Sequence, residues 1–439
     1  MNTLLNRGLS IFLAGALLGS ASPCPATDLL SLYRSAMNDN SMLKARRFGV
    51  DRARADADQA HSRLYPQASI QSSVSRNDYH DPSGDQRYSG RRNVLQARQA
   101  LIDLPAYYRS DGARLGIAQA EQEAASARAE VFAQLADQYL NALQADDELM
   151  QLQSEKEAAQ RQVERLRAMR EREMVKVTDL TEAISWLQQV NTREIDALTK
   201  SEAAQVRLRE LSGRDTGVLA MLVRTEFPLL PETIEHWVSA ARENNPAIIA
   251  RRVALQASHR AAEAARAEHY PQLSLSLQYS QSNLTYDNLS QRGYDVGSAS
   301  LELRIPIYEG GRVTAAEASA LAQQAIDEAQ LESLMREVER DTRVAYASAQ
   351  ANRARIDSTN AEVDALTQTV RAQERGYELG AATVIHVLDA RRRLLRARVD
   401  QSMARYDYLR DLIGLTVRSG RLTEAEVAGF NQWLGPRTD

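Results

Sequence analysis

The residues that carry catalytic or metal-binding chemistry in other proteins are few in this chain and far apart. Its 439 residues include one cysteine and six histidines, which are His61, His80, His236, His259, His269 and His386. No nucleophile elbow, zinc-protease motif, phosphate-binding loop or dinucleotide-binding motif is present. Five of the histidines are interpreted as solvated or interfacial side chains, and His386 is considered below. We predict that the protein is not an enzyme and holds neither a metal nor a cofactor.

The first 26 residues are typical of a secretory signal peptide. The apolar run Leu9 to Leu18 follows a basic residue, and Ala26 ends a short polar stretch. We predict cleavage after Ala26, with Ala21 as the alternative. Cleavage after Ala26 removes the single cysteine, Cys24, from the mature chain. Lipid attachment at Cys24 is the weaker interpretation, because Pro23 stands where a small, flexible residue is needed.

The composition of the mature chain favours long helices. Prolines are absent from 106 to 227 and from 307 to 435, and apolar residues recur there in alternating steps of three and four. Helices of such length do not fit a compact single domain of this size. The formal charge of −4 gives no indication of nucleic-acid binding. No later run reaches the ~18 apolar residues that a transmembrane helix requires.

The chain repeats itself with an offset of about 205 residues. Asn40–Gln67 and Asn245–Gln272 share Ala-Arg-Arg and Tyr-Pro-Gln in the same register. A repeat of this length indicates one structural unit that has been duplicated. We therefore divide the chain into a first half, 27–231, and a second half, 232–439.

Each half shows the same predicted order of elements. A helix (28–63 or 232–268) ends before Tyr-Pro and is followed by two strands and a very long helical stretch. The strands alternate apolar and polar residues, most clearly from Leu273 to Ser280. The predicted strands are 68–76, 93–102, 273–284 and 296–306, and the long helices cover 106–212 and 311–414. The segments 78–90 and 285–293 between the strands are predicted as exposed loops.

Four strands are too few to close a membrane barrel, which needs at least ~8. Either these strands form a soluble sheet, or several subunits pool them into one barrel. An apolar stripe opposite a polar stripe favours pooling around a wet lumen. Tyrosines at both ends of the strands are predicted to lie at membrane interfaces, although each one alone could be an ordinary strand-edge aromatic. They are Tyr65, Tyr107, Tyr270 and Tyr308 at one end, and Tyr79 and Tyr286 near the loops.

Two motifs add a specific resemblance to this plan. Tyr-Glu-Gly-Gly-Arg stands at 308–312, and Gly-Tyr-Glu-Leu-Gly at 376–380 precedes Val-Ile-His-Val-Leu-Asp-Ala at 384–390. With the duplicated helix and strand order, the chain resembles the TolC family of outer-membrane factors from 28 to 415. The resemblance implies a homotrimer, with four strands from each of three copies forming one twelve-stranded barrel. It also implies a long periplasmic helical cylinder and a small equatorial α/β belt made from 213–231 and 414–439.

The resemblance also assigns a constriction to the turn that follows 376–380. In the family, helix pairs bend inward there, at the periplasmic tip, and two acidic rings surround the pore. This chain keeps the second acid as Asp389 and has His386 in place of the first. Carboxylates converging on a narrow axis attract cations, and unperturbed imidazoles titrate near pH ~6.5. We predict a cation-selective constriction that weakens when His386 is protonated. The alternative is that both residues belong to a solvated helix face.

The family's closed state is held by a latch between the two halves, in which a Tyr and an Arg of this turn bind an Asp of the matching turn. The resemblance places Tyr377 and Asp179 at two of these positions, beside Thr178. The Arg position is occupied by Ala382, which departs from the family pattern. Lys176, next to Asp179, is predicted to substitute for it.

The function that the resemblance implies is a passive exit duct of a type I secretion system, nearest to the members that export metalloproteases. It would work in the outer membrane with an inner-membrane ABC transporter and a periplasmic membrane-fusion adaptor, and pass a secreted protein. The alternative within this fold is the outer-membrane channel of a multidrug efflux pump. An alternative of another class is a soluble periplasmic coiled-coil adaptor.

Overall fold

The computed structural model describes residues 27–82, 84–224, 226–230, 232–283 and 293–435. The predicted signal peptide and Tyr286 lie outside the described residues. Within these ranges no helix combines the length and the apolar character needed to cross a membrane.

The described elements repeat almost residue for residue between the two halves. The short helices are 11 and 22 residues long in both halves, and the long helices are 68 and 36 residues in the first and 67 and 35 in the second. The predicted duplication is therefore present in the fold. In chain order the elements are α1 (Leu29–Asp39), α2 (Ser41–Ser62), β1 (Gln67–Asp81), β2 (Gly84–Ile102), α3 (Leu104–Glu171), α4 (Val177–Ser212), β3 (Met221–Leu222), α5 (Ile234–Asn244), α6 (Pro246–Ala267), β4 (Gln272–Ser282), β5 (Tyr294–Arg304), α7 (Arg312–Glu378), α8 (Val384–Arg418), α9 (Glu424–Asn431) and β6 (Leu434–Gly435).

The single helix predicted at the start of each half is in fact two helices separated by one asparagine. Asn40 has extended backbone angles, and its side chain accepts hydrogen bonds from the backbone N–H groups of Met42 and Leu43 at 3.0 and 3.2 Å. Asn245 caps α6 in the same way, with Pro246 at the first helical position. An asparagine cap offers the backbone an alternative to the continuous helix, and a proline disfavours helical angles in the residue before it.

The four long strands form one antiparallel sheet in the order β1-β2-β4-β5, so β1 and β5 are its edge strands. Leu95 lies opposite Tyr279, and Leu275 lies opposite Leu301. The first two strands are longer than predicted, because the ladder between β1 and β2 continues to the pair Asp81–Gly84. The predicted loop 78–90 is therefore mostly a hairpin that extends beyond β4 and β5.

The long helices form two hairpins, α3–α4 and α7–α8, that continue from the sheet. α3 begins at the cap Asp103, whose carboxylate accepts a hydrogen bond from the Ala106 N–H at 2.9 Å, and Pro105 fits in its first turn. At ~1.5 Å per residue, a helix of the length of α3 extends for about 100 Å. The fold class, mainly helical with a small sheet and a duplicated plan, is confirmed.

The largest apolar core lies where the hairpins meet the predicted belt, and we call it the belt core. Its central side chains have at most 1% of their surface exposed and are Phe132, Leu135, Tyr139, Tyr406 and Tyr408. Beside it, β3 pairs with β6, which joins the segment after α4 to the C-terminal segment. The Tyr139 hydroxyl donates a hydrogen bond to the Ala220 carbonyl at 2.6 Å. A small mixed α/β element therefore forms where it was predicted.

Candidate gate at the two helix turns

Each helical hairpin has a tight turn between its two helices. In sequence, this turn is the part of the hairpin that is most distant from the strands. In the first, between α3 and α4, Glu173 adopts a positive φ of 59°. In the second, between α7 and α8, Gly380 has a φ of 76°, a conformation that a glycine adopts without strain. The Ala381 and Ala382 N–H groups both donate to the Gly376 carbonyl, at 2.7 and 3.1 Å. Ala382 consequently packs directly over Gly376, where an added Cβ would lie 3.2 Å from the Ala382 Cβ.

An apolar cluster just inside the turns joins the first hairpin to the second, and we call it the turn cluster. Its main members are at most 2% exposed and are Leu166, Trp186, Val190, Val384 and Leu388. They come from α3, α4 and α8, and Tyr377 of α7 packs against them partly buried. The turn cluster therefore holds together elements that are about 200 residues apart in sequence.

The predicted latch residues lie around this cluster, but the latch hydrogen bonds are not formed in this structure. The Tyr377 hydroxyl is buried and has no hydrogen-bond partner among the described residues. Burial, and next the nearby charge of Asp179, raise the pKa of Tyr377, so the two side chains are near each other. Thr178 and Lys176 are exposed, and within the described part of the chain Lys176 forms no ion pair. The substitution of Lys176 for the missing arginine stays a prediction.

The predicted constriction residues lie on the first two turns of α8. His386 is exposed, and Asp389 is half-buried. Asp389 is not a free carboxylate, because its Oδ1 forms an ion pair with Arg392 Nη1 at 3.1 Å. The resemblance implies a ring of acids at this position, and in each copy Arg392, one turn farther along α8, would partly neutralise the charge of Asp389.

Sequence reasoning did not identify the charged residues that surround the turn cluster. Arg392 reaches from α8 to Glu182 of α4 at 3.4 Å, and its guanidinium lies 5.0 Å from the centroid of the Trp186 ring. Arg391 binds Glu374 of α7 at 2.6 Å and approaches Glu155 of α3 at 3.8 Å. The available signal was the run of three arginines at 391–393, one turn after Asp389.

Trp186 and Glu155 connect these two arginines. The Trp186 indole Nε1–H donates to Glu155 Oε1 at 3.2 Å. Burial raises the pKa of Glu155, and the Arg391 charge opposes that effect. Arg391, Glu155, Trp186 and Arg392 thus form one continuous set of contacts across α3, α4 and α8, and Glu374 extends it to α7.

The predicted interface tyrosines lie around the sheet. Tyr65 and Tyr270 immediately precede β1 and β4, and Tyr107 and Tyr308 follow β2 and β5, so all four lie at the helical end of the sheet. All four are exposed. Tyr79 lies toward the other end, where its backbone pairs with Gln86. The two girdles and their contact with a membrane stay predictions. No group of His, Cys, Asp and Glu within the described ranges is arranged to hold a metal ion.

The comparisons with known proteins agree with this architecture. The sequence profile of the outer membrane efflux protein family matches residues 32–214 and again 237–421. The chain is 26% identical over 437 residues to the outer membrane protein TolC of Vibrio cholerae, covering 98% of this chain and 99% of that relative. It is 25% identical over 350 residues to the alkaline protease secretion protein AprF of Pseudomonas aeruginosa, covering 78% and 72%.

Among solved structures, the CmeC outer membrane channel of Campylobacter jejuni superposes with a TM-score of 0.80 at 17% identity, covering 98% of both chains. At this identity the superposition supports the fold alone. The family match over most of the chain defines the class of protein as an outer-membrane channel. The chain belongs to the outer membrane efflux protein family, which consists of channels. The predicted resemblance and the predicted outer-membrane location are both confirmed.

Proposed function

We propose that this chain is the outer-membrane exit duct of a type I secretion system and passes a secreted protein, a protease. It would act with an inner-membrane ABC transporter and a periplasmic membrane-fusion adaptor. The likeness to a protein named for alkaline protease secretion supports this role. The observation that carries the duct itself is an open-edged sheet continuous with helices of 68 and 67 residues.

The sheet edges support the assembly of several copies, and the family resemblance gives their number as three. Unpaired backbone groups in lipid cost several kcal/mol each, so β1 and β5 need partners if the sheet lies in the membrane. Neighbouring copies would supply them and make one closed sheet. In this proposal the halves 27–231 and 232–439 each contribute two strands and one helical hairpin, as the two separate profile matches support.

The partners distinguish secretion from drug efflux, so we would test the proposal by cross-linking in cells followed by purification. Recovery of an ABC transporter with its adaptor supports type I secretion. Recovery of a drug–proton antiporter instead would assign the channel to efflux. A soluble monomer after extraction without detergent would contradict both roles.

We also propose that Asp389 and His386 set the ion selectivity of the duct. Three copies would bring three Asp389 carboxylates near one axis, where negative charge favours cations. Purified protein in planar bilayers should be cation-selective, and Asp389→Asn should reduce that selectivity. Asp364→Asn, at an exposed site on α7, is the matched control and should change nothing. An anion-selective wild type would contradict the proposal.

A further inference from the structure

We propose that Arg392 is the residue that locks the second hairpin onto the first at the helix turns, in place of the latch arginine that is absent at 382. Its guanidinium contacts α4 at two points, the face of Trp186 and the carboxylate of Glu182. The inference rests on the proposed duct, because a lock matters only if the turns open and close.

The contact with Trp186 contributes most of the lock. Arg392 and Glu182 keep 31% and 42% of their side-chain surfaces exposed, and ion pairs of that kind stabilise little because water screens them. Trp186 is 0% exposed, so its ring is a fixed and desolvated platform. A cation over such a ring is attracted more strongly than one over an exposed ring. The expected order of importance is therefore Arg392, then Trp186, then Glu182.

The Trp186 ring is itself held in place by a residue of α3. Glu155 accepts the hydrogen bond from the Trp186 indole, and Arg391 lies beside Glu155. The Trp186 indole is thus fixed by its hydrogen bond to α3, and its face contacts Arg392 of α8. Because Arg391 also binds Glu374, a movement of α7 or α8 away from α4 disrupts the contacts of both arginines together.

Asp389 orients the lock from within α8. It lies one turn before Arg392, and its Oδ1 holds the guanidinium through the 3.1 Å ion pair. The same pair neutralises part of the proposed constriction charge. Loss of Arg392 should therefore have two separable consequences, an easier opening of the turns and a stronger cation selectivity.

The test is single-channel conductance of the purified full-length protein in planar bilayers, with trimer formation checked by sizing in detergent. We expect Arg392→Ala to raise the mean conductance or the open fraction about tenfold, a change that corresponds to about 1.4 kcal/mol. Trp186→Leu keeps an apolar side chain in the turn cluster and should produce much of the same increase. Glu182→Gln should produce a smaller one.

Arg393→Ala is the matched control. Arg393 is the next residue of α8, is exposed, and forms no ion pair among the described residues. The Arg393→Ala protein should conduct as the wild type does. Glu155→Leu provides a second variant, because leucine removes the acceptor of the indole hydrogen bond and should raise the conductance.

The possible outcomes test the proposed lock and the proposed channel function separately. If the wild type and all variants form no channel, the proposed function fails. If the wild type conducts and Arg392→Ala conducts no more than Arg393→Ala, the lock is wrong and the duct stands. If Trp186→Leu fails to assemble, the comparison of Arg392→Ala with Arg393→Ala still decides, since neither change removes a buried apolar side chain.

Discussion

The belt core and the turn cluster lie on the same long helices but are held by different kinds of contact. In the belt core, buried tyrosines bind groups with little freedom to move. Tyr139 donates to the Ala220 carbonyl at 2.6 Å, and Tyr406 donates to Asp147 at 2.7 Å. In the turn cluster, the hydroxyl of Tyr377 has no hydrogen-bond partner among the described residues. A half-exposed arginine connects the hairpins in both regions, Arg410 to Asp137 beside the belt core and Arg392 to Glu182 at the turn cluster, so the hydrogen bonding of the tyrosines is what distinguishes the two.

The difference indicates which end of the hairpins is built to move. Contacts to backbone groups and between fully buried rings are lost only when the surrounding structure opens as a whole. At the turns the Tyr377 hydroxyl makes no hydrogen bond among the described residues, so separation of the two hairpins there loses no buried tyrosine hydrogen bond. We therefore expect the belt core to behave as the fixed end and the turn cluster as the end that opens. Four experiments test this assignment of a fixed end and an end that opens.

The largest difference in stability is expected between alanine substitutions at two glycines that follow helices and have a positive φ. Gly420, after α8, has a φ of 68°, and an added Cβ would lie 2.1 Å from the Asn244 carbonyl oxygen. Gly380, after α7, has a φ of 76° and open space around it. Gly420→Ala should lower the free energy of unfolding by about 2–6 kcal/mol, from left-handed strain and overpacking together. Gly380→Ala should lower it by only ~1–2 kcal/mol.

Thermal unfolding of the detergent-solubilised trimer measures both glycine variants. Equal losses of stability would show that the corner at Asn244 adjusts freely, and the belt would then not be the rigid end.

The second pair uses two leucines of α3 that are both 0% exposed, Leu135 in the belt core and Leu166 in the turn cluster. Leu135→Ala should lower the free energy of unfolding by about 2–5 kcal/mol, because it leaves a cavity in the larger core. Leu166→Ala should lower it less and should instead accelerate amide hydrogen exchange at the turns, because that end opens locally. Denaturant unfolding with hydrogen exchange distinguishes the two. A reversal of this order would contradict the assignment of fixed and moving ends.

The third experiment tests a buried carboxylate beside the belt core. Burial raises the pKa of Asp147 above its ordinary value of 3.8, against the hydrogen bonds donated by Tyr406 and Ser402. The folded state therefore keeps this proton to a higher pH than the unfolded state does. The contribution of this group to stability should be full below pH 3.8 and should be lost as the pH rises through the raised folded pKa of Asp147.

Asp147→Asn removes this titration and keeps an acceptor for Tyr406. As the pH rises above 3.8 it should lose less stability than the wild type does, because it has no carboxyl proton to release. Asp364→Asn, on the exposed face of α7, serves as the control. If the two variants follow the same pH profile, the Asp147 site has no special role in the belt.

The smallest effect is expected at Tyr377. A buried hydroxyl without a partner is destabilising, so Tyr377→Phe should leave stability unchanged or raise it by up to about 1 kcal/mol. Bilayer conductance should stay low, because Arg392 and not Tyr377 provides the lock. An increase in conductance would instead show that Tyr377 donates to Asp179 in the assembled closed channel, as the family latch predicts.

Much of the fold could be predicted because its signals are local. Strict alternation of apolar and polar residues over Leu273 to Ser280 predicted β4. The absence of proline, with apolar residues in steps of three and four, predicted the long helices. The break at Asn245 also had a local signal, the following Pro246, although the equivalent break at Asn40 did not. The extra length of β1 and β2 could not be predicted, because residues such as Asp78 and Gly90 favour loops and enter strands only through pairing with each other.

The amino-acid sequence alone was enough to predict the duplication, the order of elements, the family and the position of the turns, since periodicity and motifs are properties of neighbouring residues. The side chains that meet at those turns are known only from the tertiary structure. Arg392 and Trp186 are about 200 residues apart and come into contact because two hairpins pack side by side. That contact depends on the angle and register between helices, which result from the packing of the whole turn cluster and not from any short stretch of chain.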